Sequence, residues 1–246
     1  MATDTPVSEL VPQLSRVGLR PDARLVERIV AHGADGRRAL LTLATSVAAL
    51  HDELPAALGP LHALRLLGEL PDVEIIGPLL AVLPVPIRHR EDVPPRLYGT
   101  EVLQIIGRIG APAVPVLWAH ADDPATSEMA RSAAISALSY VATRAPELRE
   151  EVLAEARRRL EHETDMARTT GLVTVLAELG DAESYRAVMA AYRAGRVDQR
   201  QAPAATARQF LLGGGRRDLN CVNHPLFERY DHHGPHLRPT EDPDLD

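Results

Sequence analysis

Apolar residues recur along this chain at steps of three and four, in pairs of short runs parted by a break. Residues 64–83 read LRLLGELPDVEIIGPLLAVL, with the break at ELPD. The arrangement returns in LQIIGRIGAPAVPVLWAHAD (103–122) and LVTVLAELGDAESYRAVMAA (172–191). A weaker copy, ISALSYVATRAPELREEVLAEARRRL, covers 135–160 with its break at Thr143–Pro146. Each copy predicts two helices joined by a turn. Gly68, Gly107, Ser139 and Ala177 fall at equivalent places, 39, 32 and 38 residues apart. A small residue there lets two helices approach closely. Pro71, Pro112 and Pro146 sit at the breaks, where a first helical turn tolerates a missing N–H. Asp72 and Asp181 suit helix N-caps. A further pair is predicted at 22–33 and 36–52, and a single short helix at 202–212 that ends at Gly213-Gly214-Gly215. No stretch sustains the period-two alternation of a strand better than a helix. The expected class is all-α.

The segments LGELPD (67–72), IGRIGAP (106–112) and LAELGDAES (176–184) carry a resemblance to the HEAT family of helical repeats, in its short bacterial form. The resemblance implies a right-handed α-solenoid of about five hairpins, each contacting only its neighbours. The expected organisation is a lead-in over 1–21, the solenoid over 22–212, a mostly irregular His-rich appendage over 213–238, and a disordered acidic tail over 239–246. The resemblance also implies that the second helix of each pair lines a concave face where partners bind. It specifies a fold, and a fold alone assigns no activity.

Composition narrows the choice. Aromatics are 3% of the chain and apolar residues 45%, so aliphatic side chains must fill the core. All 27 basic residues are arginine, and the net charge is −7, which argues against general nucleic-acid binding. A single cysteine excludes an internal disulfide. No basic-then-apolar leader and no run of about 18 apolar residues is present, so the expectation is a cytoplasmic protein that does not enter membranes. No nucleophile elbow, P-loop or dinucleotide fingerprint is found. HEAT-like di-iron proteins use several His-Glu pairs, and this chain has one, His162-Glu163. HEAT-like DNA glycosylases use a basic, aromatic groove that the composition does not provide. Bilin lyases of this repeat type, which handle tetrapyrroles, lack a short diagnostic motif and form a weaker alternative.

Two regions carry candidate chemistry. The first is a partner-binding surface. Trp118 falls outside the buried stripe Val114, Leu117, Ala121, and a tryptophan off that stripe suits a contact. Arg186 and Arg193 lie seven residues apart beside the stripe Tyr185, Val188, Met189, Tyr192 and are expected to face solvent. The connection PVPIRHREDVPPRL (84–97) is long and locally basic, and Arg88 and Arg90 could meet a partner there. These residues point to a non-enzymatic scaffold or adaptor that binds another protein or a peptide, with no cofactor. The second region is CVNHPLFERYDHHGPH (221–236). Cys221, His224, His232 and His236 are four ligands of the type that suits tetrahedral zinc. Gly234-Pro235 keeps His232 and His236 off one regular helix, so these ligands would come from loops. Val222, Leu226, Phe227 and Tyr230 are interleaved with them and must be buried. An ordered, metal-free cap over the end of the last repeat is therefore the first reading, and a zinc-stabilised cap or a metalloenzyme the alternative.

Overall fold

The computed structural model describes residues 5–89, 92–215 and 217–235. Among them the chain is all-helical, with no strand. The α-helices in chain order are α1 (Val7–Leu10), α2 (Ala23–Ala31), α3 (Gly33–Ala44), α4 (Gly59–Leu67), α5 (Ile76–Ala81), α6 (Val93–Gly107) and α7 (Ala113–Asp122). They continue as α8 (Glu128–Arg144), α9 (Arg149–His162), α10 (Met166–Glu178), α11 (Tyr185–Arg193), α12 (Ala204–Leu211) and α13 (Leu226–His233). Short 3-10 turns connect several of them. Arg90, His236 and the acidic segment 239–246 lie outside the described residues.

The chain divides into two compact units. One comprises the residues through Ile105 together with those from His224 onward; the other runs Ile106–Asn223. At the centre of the first unit is α4, all nine of whose residues are buried. A helix as apolar as GPLHALRLL, broken only by His62 and Arg65 on one face, is stable as a core helix. It packs on α3 and on the 3-10 segment Val11–Ser15. Tyr98 of α6 is fully buried and donates its hydroxyl to the Ala44 carbonyl at 2.7 Å, occupying an acceptor at the C-terminus of α3.

In the second unit α8 packs along both α7 and α10, and α10 also packs along α9 and α12. Small residues permit this. A Cβ on Gly171 of α10 would stand 2.8 Å from the Ser132 carbonyl oxygen and the Ile135 Cβ of α8. A Cβ on Gly107 would stand 2.4 Å from the Tyr140 Cβ. The expectation that a small residue at 107 serves close helix approach is met in this geometry. Ser127 and Asp165 cap α8 and α10 by accepting from the Ala130 and Arg168 backbone N–H groups, and Asp22 caps α2 in the same way. Each such cap contributes about 1 kcal/mol.

Several local expectations are corrected. The 84–97 connection is not a loop throughout: α6 begins at Val93. Pro94 and Pro95 fall in its first turn, where the missing N–H groups have no intrahelical acceptor in any case. The segment 36–52 is α3 followed by a 3-10 turn at Val47–His51. Asp72 does cap, accepting from the Glu74 backbone N–H. Asp181 occupies an N-cap position without a capping bond, because its carboxylate is held by Arg157 and Ser184. The stretch 221–235 is ordered and largely helical rather than irregular. A 3-10 turn at Asn220–Asn223 precedes α13. Extended Pro225 stands at the N-terminus of α13, and Gly234 at φ +78° ends it, a conformation that glycine alone adopts without cost.

Candidate functional site

The partner-surface residues divide between the two units. In the second unit α7 carries Trp118 and α9 faces it across an open groove of about 710 Å3. Val114, Pro115, Leu148 and Val152 line the groove with Trp118, and Glu151, Glu155 and Arg158 bring charge to it. Trp118 is half-buried. The Arg159 guanidinium stacks over its indole, 4.2 Å from the ring centroid. Arg159 is itself fixed by Glu155 and Asp122, both at 2.6 Å. The indole is therefore held on one face and presented on the other, which lowers the entropy lost when something binds to it. Arg158 draws the Glu155 carboxyl down to about 2, against opposition from burial and with further help from Arg159. These arginines are occupied by carboxylates. Arg157 likewise grips Asp181 with two bonds of 2.8 and 2.9 Å, and Arg168 pairs with Glu163 at 2.8 Å. Arg157, Arg158 and Arg159 thus each pair with carboxylates.

Arg186 and Arg193 on α11 are exposed, as expected from their spacing. Val188 and Ala191 form the buried side of that helix. Neither arginine lines the Trp118 groove. Arg88 belongs to the first unit, in a connection ordered by Asp92, whose carboxylate accepts from the backbone N–H groups of Arg88 and His89. Arg90 is outside the described residues.

The C-terminal stretch builds something the sequence reading did not identify. α13 lies in the first unit, joined to α4, α6 and the residues after Ser15 by a buried polar cluster. Arg65 of α4 has no exposed surface. It donates from Nε and Nη2 to the Glu101 carboxylate at 2.8 and 2.5 Å, and from Nη1 to the Gly234 carbonyl at 2.6 Å. Its guanidinium also lies 4.3 Å from the centre of the Tyr230 ring. Burial works against its charge; the Glu101 carboxylate outweighs that and raises its pKa. His62, one turn earlier, meets the Tyr230 hydroxyl at 2.9 Å through Nδ1 and the Gly18 carbonyl at 3.0 Å through Nε2. A carbonyl only accepts, so Nε2 carries the proton and Nδ1 accepts from the phenol. Burial lowers the His62 pKa to about 4 and fixes the ring as neutral. Burial likewise pushes the Tyr230 phenol well above its usual value. Buried Arg229 donates to Gln104 at 3.2 Å. Arg20 stacks over Phe227 and bonds Asp231 at 2.6 Å.

The expectation that Leu226 and Phe227 cover the end of the last repeat is thus replaced. Leu226 and Tyr230 are buried in the first unit, whose central helix is α4. The sequence carries a signal for this: two charged or polar residues, His62 and Arg65, interrupt an apolar helix on one face, and Glu101 and Gln104 do the same in α6. Polar groups at the centre of apolar helices require partners from elsewhere in the chain.

Of the zinc candidates, His232 sits in the last turn of α13, not in a loop, and His224 precedes that helix. The rings of His224, His232 and His233 gather with centroids 5.4 to 6.4 Å apart. Cys221 belongs to the second unit, where it is buried and contacts the Asp218 carbonyl at 3.2 Å. His236 lies outside the described residues. Among the described residues no three His, Cys, Asp or Glu side chains are placed to hold a metal ion, and no helix is long and apolar enough to cross a membrane.

No protein-family model, curated protein or solved structure matches this chain.

Proposed function

We propose that the protein is a non-enzymatic binding scaffold of the HEAT-like type, and that it captures a protein segment by an apolar side chain inserted beside Trp118. The observation that carries this reading is the groove between α7 and α9, with an indole held in place by Arg159 on its wall. An aromatic side chain that is fixed before binding and half open to solvent has the character of an interface anchor. The neighbour-on-neighbour packing of α8, α10 and α12 supports the repeat reading, because stacked hairpins bury their cores in this way. Exposed Arg186 and Arg193 in the same unit offer planar donors to carboxylates of a partner.

Trp118 is the chain's one tryptophan, so its fluorescence reports on the groove directly. Affinity capture with quantitative mass spectrometry should find a protein retained by the wild type and lost from the Trp118→Ala/Arg186→Glu variant. The helical circular dichroism of the two should be the same, and the purified partner should shift the Trp118 emission. Equal capture by both forms overturns the surface assignment.

Zinc at the C-terminal stretch is the second reading, and it rests on the ligand types of Cys221, His224, His232 and His236 in the sequence. Elemental analysis decides it. About one equivalent of zinc, lost in His224→Ala, supports it; metal-free protein from a zinc-supplemented culture removes it.

A further inference from the structure

The two walls of the Trp118 groove differ in charge. The α7 side is apolar and includes Trp118; the α9 side carries Glu151, Glu155 and Arg158. Most of this charge is internally balanced. Glu155 accepts from Nε and Nη2 of Arg158, both at 2.7 Å, and from Nε of Arg159 at 2.6 Å. Asp122 accepts from Nη1 of Arg159 at 2.6 Å. Two guanidiniums and two carboxylates thus cancel. Glu151 is left over. It lines the groove, is exposed, and makes no ion pair among the described residues. Glu147, one turn earlier, is exposed as well. The arginine closest to them in sequence, Arg149, is not in the lining and donates to the Leu179 carbonyl at 2.7 Å. Arg186 and Arg193 are outside the lining too and do not offset Glu151.

The spacing along α9 gives this charge a position. Glu155 lies one turn and Arg159 two turns beyond Glu151 on one continuous helix. Arg159 stacks on the indole and, like any helical side chain, leans toward the helix N-terminus. At 1.5 Å rise per residue, Glu151 therefore stands about 6 to 12 Å along the groove from Trp118. An acidic segment laid in the groove would bring like charge to Glu151, and a neutral one would cover its carboxylate without compensation. A cation satisfies it. We infer that the segment bound beside Trp118 is a cationic amphipathic helix, with an apolar side chain packed on the indole and a lysine or arginine one or two turns away paired with Glu151. This rests on the protein-binding reading of the groove given above and adds the charge of the partner.

Three amphipathic helical peptides test it, sharing one leucine face and carrying lysine, glutamine or glutamate at every polar position. Calorimetry and Trp118 emission on the full chain should rank lysine above glutamine above glutamate, with the lysine advantage falling as salt rises. Glu151→Gln should narrow the lysine-to-glutamine affinity ratio by about 2- to 5-fold, the size of one exposed ion pair. It should leave the affinity for the glutamine peptide unchanged. Glu151 is exposed, so this variant should keep the wild-type melting temperature. Equal binding of the lysine and glutamine peptides, or tightest binding of the glutamate peptide, overturns the cationic partner and leaves the groove as a binding site. An unchanged ratio in the Glu151→Gln protein overturns the assignment to Glu151. Binding by none of the three peptides, or lysine-peptide binding that Trp118→Ala does not weaken, overturns the groove reading and this inference with it.

Discussion

The two units hold themselves together by opposite means. In the first, segments far apart in sequence meet through polar groups: Arg65, Glu101, His62 and Tyr230 are at most 5% exposed and satisfy one another. In the second, alternate helices meet where side chains are small, with Gly107 at the end of α6 and Gly171 of α10 lying close against α8. Apolar contact between neighbours is tolerant of small shifts. A bidentate arginine–carboxylate pair with a carbonyl on its third side is satisfied in one arrangement only. A helix returning from the far end of the chain has no short linker to determine where it docks. The polar cluster supplies that register for α13, at a desolvation cost that the small-residue contacts around α8 do not bear.

The comparison is broken most severely by removing one member of the buried pair. Glu101→Ala leaves the Arg65 guanidinium buried beside no carboxylate and should destabilise the protein by about 3–5 kcal/mol, measured by urea unfolding. The double variant Arg65→Met/Glu101→Leu should recover much of that loss, since no charge remains to be solvated. A single variant with wild-type stability would mean that the cluster is not buried as described.

Acid should strain the same region selectively. His62 titrates near 6.5 when unfolded and near 4 when folded, because burial disfavours its charged form. Between those values the unfolded chain holds a proton that the folded chain does not, so stability falls as pH falls. The loss begins below about pH 6.5 and amounts to roughly 3 kcal/mol by pH 4. His62→Gln should flatten that part of the stability profile. A residual slope is expected from His233, whose pKa burial also lowers. An unchanged profile would place the proton uptake elsewhere.

The small-residue seam should respond to the reverse change. Gly171→Ala adds a methyl group where Ser132 and Ile135 stand 2.8 Å away, and overpacking of this kind costs about 1–3 kcal/mol. The effect should appear in urea unfolding and leave the acid profile of His62 intact. Gly110, at φ +73° with open space around it, should resist alanine because of its backbone conformation alone.

Much of the helical content was legible in the chain. The period of apolar positions located α4, α7 to α10 and α12, and the breaks at Pro71–Asp72, Gly110–Pro112 and Gly180–Asp181 fall between helices in the structure. Arg186 and Arg193 face solvent as their spacing requires. Where the reading failed, a local rule was given too much reach. Four prolines suggested a loop through 84–97, but two of them suit the first turn of α6. Gly234-Pro235 suggested an irregular appendage, yet it only ends a helix that Leu226–His233 had already formed. His62, Arg65 and Glu101 mark polar positions inside apolar helices, but nothing local says which partner each one meets.

Periodicity is a property of contiguous residues, and helix formation with its caps and breaks is decided within a turn or two. The sequence alone therefore determined an all-α chain with an aliphatic core and largely correct punctuation. Which helix receives α13 and what neutralises Arg65 were decided only by the tertiary structure. Those outcomes depend on residues brought together across 36 to 169 positions of chain. A buried polar group acquires its energy from the partner it meets, and no local pattern encodes that meeting.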